Sequence, residues 1–83
     1  MFTPFSVTGC SLELLKPGER GIVIFYKTLD ETIRKKLISM GITSGTLITL
    51  EQQFPSWIIK MGNISLTIDR ETARAIYVRV IDS

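Results

Sequence analysis

Residues 46–68 read TLITLEQQFPSWIIKMGNISLTI, and the spacing of apolar residues in this stretch decides the fold. Apolar side chains recur at every second position, the period of a half-buried strand rather than a helix. Ile48 and Leu50 share one face of a strand running from Thr46 to Gln53, and Phe54-Pro55-Ser56 interrupts it. Trp57, Ile59 and Met61 then alternate with Ile58 and Lys60. Gly62-Asn63 is a two-residue hairpin signal, because such turns need the positive φ that glycine supplies. Ile64, Leu66 and Ile68 alternate with Ser65 and Thr67. Three strands joined by short connections predict an antiparallel meander with one face toward a core.

Downstream, Asp69 can cap a short helical turn through Arg70 to Ala75. Ile76 to Ile81 then forms a last strand, with Ile76, Val78 and Val80 on one face. Upstream, Ile33, Leu37 and Met40 fall at i, i+4 and i+7 of a helix over Asp30 to Met40, leaving Arg34, Lys35 and Lys36 outward. Asp30 or Thr28 serves as its N-cap, with Glu31 three residues after Thr28 as in a capping box. Gly41 stands where a helix turns left-handed and stops. Thr43-Ser44-Gly45 is a turn. Arg20 to Lys27 is a strand rich in β-branched and aromatic residues. It is apolar on both faces, so alternation does not assign its register. Leu12 to Leu15 is an apolar step before the turn at Pro17-Gly18. Residues 1–10 carry Pro4 and Gly9 without a period. They read as an irregular arm packed on the domain by Phe2 and Phe5, with the domain itself at 11–83. Gly18, Gly41, Gly45 and Gly62 are assigned as structural turns.

Five short strands laid flat would leave long open edges. Curling into a small, partly open barrel removes most of that liability. The fold class is therefore mainly β with one or two short helices.

The chain has 83 residues, enough for one domain and one modest core. A formal charge of +2 does not supply the concentrated basic field of an obligate nucleic-acid binder. The single cysteine, Cys10, has no internal partner and suits a reducing compartment. No apolar run approaches the roughly 20 residues of a membrane span. Met1 to Cys10 lacks the positive charge and apolar core of a signal peptide. These features point to the cytoplasm, with any membrane role arising through a partner.

Catalytic and metal chemistry lack the residues they need. There is no histidine, so nitrogen- and sulfur-ligated metal sites cannot be assembled within the chain. The paired carboxylates Asp30-Glu31 and Asp69-x-Glu71 stand at helix starts, where they complement exposed N–H groups. Gly18-Glu19-Arg20-Gly21 lacks the lysine and hydroxyl of a phosphate loop, and its glycines read as turn residues. Cys10 has no basic neighbour to activate it. No catalytic residue, metal site or cofactor is assigned.

Three segments, in order and at consistent spacing, resemble the FeoA family. They are Leu15-Lys16-Pro17-Gly18-Glu19-Arg20-Gly21, the basic helix Ile33 to Met40 running into Gly41-Ile42-Thr43-Ser44-Gly45-Thr46, and Leu66 through Ala73 to Ile76-Tyr77-Val78. The likeness spans Ser11 to about Val80. It departs at Ser44, where the family usually has proline, and around Phe54 to Trp57. The resemblance implies a small SH3-like five-stranded barrel. It also implies a cytosolic accessory role in bacterial ferrous iron uptake, by contact with the FeoB-type GTPase permease. The alternative is a small-barrel nucleic-acid-binding protein. It is disfavoured because the basic residues cluster on one helix while the aromatics lie elsewhere.

Six residues are the candidates for partner binding. Arg34 and Lys35 form a basic helical face. Phe54 and Trp57 flank a proline turn, as groove aromatics do in peptide-binding barrels. Leu47 and Ile58 should point outward by period two, because Ile48-Leu50 and Trp57-Ile59-Met61 already fill the inward face. Exposed together, they would form a protein–protein or self-association surface.

Overall fold

A computed structural model of the chain describes residues 9–81. Its strands are β1 (Gly9–Ser11), β2 (Arg20–Tyr26), β3 (Leu47–Gln52), β4 (Trp57–Met61), β5 (Ile64–Ile68) and β6 (Ile76–Ile81). A 3-10 turn covers Leu12–Leu14, and two helices, α1 (Glu31–Ser39) and α2 (Arg70–Ala75), complete the described elements. All pairings are antiparallel, in the order β1-β6-β2-β3-β4-β5. Among the described residues β1 and β5 end the sheet without pairing to each other, so it wraps its core without closing.

The described residues form six strands, one more than the sequence predicts. The extra strand is β1, which takes Gly9 and Cys10 from the supposed arm and pairs Gly9 with Arg79 and Ser11 with Tyr77. Three residues that begin with a glycine show no alternation to detect. The remainder of the arm, with Phe2 and Phe5, lies outside the described residues.

The inward faces of the strands meet the 3-10 turn and α1 around one core. Leu12, Leu37, Ile42, Ile48, Leu50, Ile59, Ile76 and Val78 are fully buried in it. Trp57 and Met61 pack against its margin. β2 explains why alternation failed to set its register. The pairing to β6 shifts between Val23 and Phe25, a bulge that places an extra residue on β2. Val23 is buried, whereas Phe25 stacks on Tyr77 with ring centroids 4.9 Å apart on the outer face.

Of the two glycines flanking Glu19-Arg20, only Gly18 is a turn residue, at φ 95°. Gly21 lies inside β2, opposite Ile48 and Val80. A Cβ there would fall 2.8 Å from Val78 Cγ2. Close strand approach, not a turn, requires this glycine.

α1 begins and ends by local chemistry. Asp30 is the N-cap and accepts from Thr32 N at 2.8 Å, while the Thr28 hydroxyl accepts from Asp30 N. Glu31 does not reach back to Thr28 as a capping box would; it lies inside the helix, 3.8 Å from Arg34. At the other end Gly41 has φ 81°, Gly41 N donates to Ile38 O, and Ile42 N donates to Leu37 O. These two bonds make a Schellman motif, and the buried Leu37 and Ile42 are its apolar pair. The Tyr26 hydroxyl donates to Ile42 O and ties β2 to this corner.

Candidate partner-binding groove

The connection between β3 and β4 carries Phe54 and Pro55 away from the core. Gln52 Nε2 donates to Ser56 O at 3.3 Å, closing the loop on itself. Gln53 Nε2 donates to Leu15 O at 3.0 Å and fastens the loop to the segment after the 3-10 turn. Between the loop and that turn lies an open groove of about 820 Å³. Trp57 and Ile68, paired across β4 and β5, form its floor. Phe54, Pro55 and Leu14 add to its apolar lining. Phe54 is 85% exposed, an unusual amount for a phenylalanine held on a tied loop.

The rim is charged with both signs. Lys36 of α1 lies 3.8 Å from Asp69, and Arg74 reaches Glu13 at 3.1 Å. Asp69 is also the N-cap of α2, accepting from Thr72 N at 2.8 Å. Hydrogen bonding from Thr72, side chain first and backbone N–H second, holds the Asp69 carboxyl below its ordinary range, with Lys36 adding to the effect. Arg70 lines the groove and forms no ion pair among the described residues.

Two of the six sequence candidates, Phe54 and Trp57, meet in this groove. Arg34 and Lys35 do not line it. Arg34 is half-buried, its guanidinium 5.8 Å from the Tyr26 ring centroid. Lys35 is exposed and forms no ion pair among the described residues. Leu47 and Ile58 both occupy the outer face, but at opposite ends of the β3–β4 pair. Leu47, 43% exposed, lies opposite Ile22 of β2. Ile58, half-buried, lies between Gln52 and Thr67. The structure therefore does not unite them in one patch.

Sequence reasoning missed Leu14, Lys36 and Arg70 as groove residues. Leu12 and Leu15, three apart, both turn into the core and leave Leu14 outside; that spacing was the available signal. Lys36 reaches the groove because α1 packs against α2, a tertiary fact without a local signature, whereas Arg70 directly follows the groove residues Thr67 to Asp69. Among the described residues no three His, Cys, Asp or Glu side chains gather as a metal site. Burial, with the Glu19 charge second, pushes the Cys10 thiol above its usual pKa and away from nucleophilic chemistry.

The family model of the FeoA domain matches residues 10–80. The chain belongs to the FeoA family. A protein of Leptolyngbya boryana named "Putative Fe(2+) transport protein A" is 38% identical over 79 residues, covering 94% of this chain and 96% of that one. A crystal structure of an iron uptake regulatory protein, FeoA, superposes with a TM-score of 0.80 at 30% identity, over 89% of this chain and 99% of the other. The FeoA fold also matches part of a larger protein, the T. acidophilum IdeR. There the TM-score is 0.84 at 21% identity, over 93% of this chain but 36% of that one, a likeness of fold alone. The six-stranded open sheet is thus a variant of the small SH3-like barrel, and no described helix is long and apolar enough to cross a membrane.

Proposed function

We propose that this FeoA-family protein serves bacterial ferrous iron transport as a cytoplasmic accessory of the FeoB-type GTPase permease. It acts by protein contact and not by catalysis, and the groove lined by Phe54 and Leu14 is the contact site. One observation carries the reading. A phenylalanine 85% exposed stands beside a tryptophan in a preformed groove, the arrangement by which small barrels receive a partner segment. The mixed rim, with Lys36, Asp69 and Arg70, would orient that segment rather than supply most of its affinity. Lys35, outside the groove, extends the basic character of α1 toward an acidic part of the partner.

Titration calorimetry against the cytoplasmic part of the permease, with and without a GTP analogue, tests this. Burying Phe54 should contribute roughly 1.5–3 kcal/mol, so F54A should weaken binding at least tenfold while leaving the melting temperature unchanged. Binding of F54A at wild-type strength would remove the groove from the interface. The absence of heat for the wild-type protein in either nucleotide condition would remove the cytoplasmic part of the permease as its partner.

A further inference from the structure

The two ends of the open sheet are not alike. β1 has three residues among those described, which blunts it as a template. β5 has five residues, Ile64-Ser65-Leu66-Thr67-Ile68, with no proline and no charge. Natural edge strands usually carry one of these devices against pairing. Apart from its pairing to β4, β5 makes no backbone hydrogen bond among the described residues.

The hairpin fixes which groups on that edge are open. Gly62, at φ 59°, and Asn63 join Met61 to Ile64 in a two-residue turn. In such a hairpin the closing pair, Met61 and Ile64, exchanges hydrogen bonds, and alternate pairs do so along the ladder. Ile64, Leu66 and Ile68 therefore direct their backbone groups to β4. Ser65 and Thr67 direct theirs outward.

The chemical order of the strand is symmetric about Leu66: apolar, hydroxyl, apolar, hydroxyl, apolar. An antiparallel copy centred on Leu66 sets Ser65 opposite Thr67 of the second copy, and Thr67 opposite its Ser65. Those two pairs can exchange four backbone hydrogen bonds. Leu66 meets Leu66, and Ile64, 57% exposed in the single chain, gains Ile68 of the second copy as a neighbour. Just beyond the strand, Asn63 falls opposite Asp69, so no like charges face each other. We propose that β5 is a self-pairing edge, through which two copies of this chain form a two-fold dimer with a continuous twelve-stranded sheet. Thr67 and Ile68 also line the Phe54 groove, but self-pairing uses the backbone of the strand and does not require that the groove bind a partner. A five-residue edge buries far less than the roughly 1,600 Å² of a standard interface, so the pair is reversible and concentration-dependent.

Sedimentation equilibrium and amide hydrogen exchange on the full chain test it together. The wild-type protein should approach twice its 9.4 kDa mass as its concentration rises. Protection should rise in parallel at the Ser65 and Thr67 amides. T67P removes an outward N–H, a change that edge strands tolerate, and should hold the protein monomeric. The double variant S65K/T67K changes only exposed side chains, sets lysines opposite one another in the dimer, and should also be monomeric. Mixing it with S65E/T67E should restore a mass of two chains. A wild-type monomer at every accessible concentration overturns the proposal. So does a dimer indifferent to both variants, and so does T67P-sensitive pairing seen only with another protein's strand.

Discussion

Gly21→Ala isolates the tightest point of the sheet. An added Cβ would fall 2.8 Å from Val78 Cγ2 and 2.9 Å from Val78 Cβ. Carbon atoms in contact normally sit ~3.5–4.0 Å apart, so β2 and β6 must separate by several tenths of an ångström or Val78 must move. Val78 is fully buried and β-branched, and a rotamer change does not relieve contact with its own Cβ. Overpacking of this kind costs about 1–3 kcal/mol. The alanine recovers about 0.4–1 kcal/mol by stiffening the unfolded chain. The balance is a loss of about 1–2 kcal/mol, which for a domain of this size lowers the melting temperature by about 5–15 °C. Urea titration followed by Trp57 fluorescence, with thermal melts by circular dichroism, measures both quantities. The diagnostic step is the double variant. V78A alone should cost about 2 kcal/mol through its cavity, but in that background G21A should be nearly neutral, because the clash is gone. Equal stability of G21A and the wild type would refute the close-approach argument. An undiminished penalty in the V78A background would place the strain elsewhere.

Other expectations follow from the capping and corner contacts. D69A should lose about 0.5–2 kcal/mol, the usual cost of an N-cap, and should free Lys36 from its carboxylate partner. Because the folded Asp69 carboxyl titrates below its ordinary value of 3.8, its stabilisation should be full above that value and fade as pH falls through the lower folded one. The difference between wild type and D69A in urea titrations should therefore shrink in acid. Y26F removes the hydroxyl that donates to Ile42 O and should cost about 0.5–1.5 kcal/mol, measured by the same titration. Cys10 should react with a thiol reagent at neutral pH more slowly in the folded protein than in urea, because burial disfavours its thiolate.

The strands with clean alternation, β4 and β5, could be read from sequence because one face of each is core and the other is not. α1 was equally legible, since Ile33, Leu37 and Met40 mark its face and Gly41 its stop. β2 resisted because its bulge puts Phe25 outside while Val23 stays inside, and a period-two template fails across an inserted residue. β1 was too short to carry any pattern. Within the groove, Phe54 and Trp57 announced themselves as aromatics around a proline. Arg34 looked like a solvated cation of a basic face, but it lies over the Tyr26 ring, which belongs to another element. Lys36 reaches the groove through the packing of two helices distant in sequence. Local pattern gives faces and turns; it does not report which distant side chain a face will meet.

The position of β6 between β1 and β2 has a consequence for how the chain acquires its structure. Gly9 meets Arg79, and Arg20 meets Ile81, so β6 is joined to its two neighbours by contacts spanning most of the chain. Such contacts close large loops, and the entropy of that closure is lost before the pairing is gained. The β3–β4–β5 meander, with its short connections, has no such requirement and can form as a local unit. Until β6 docks, Val23 lacks Val78, its buried partner across the strand pair. The last strand in sequence thus acts as a keystone, and folding of this small domain should be governed by its arrival rather than by the hairpins that precede it.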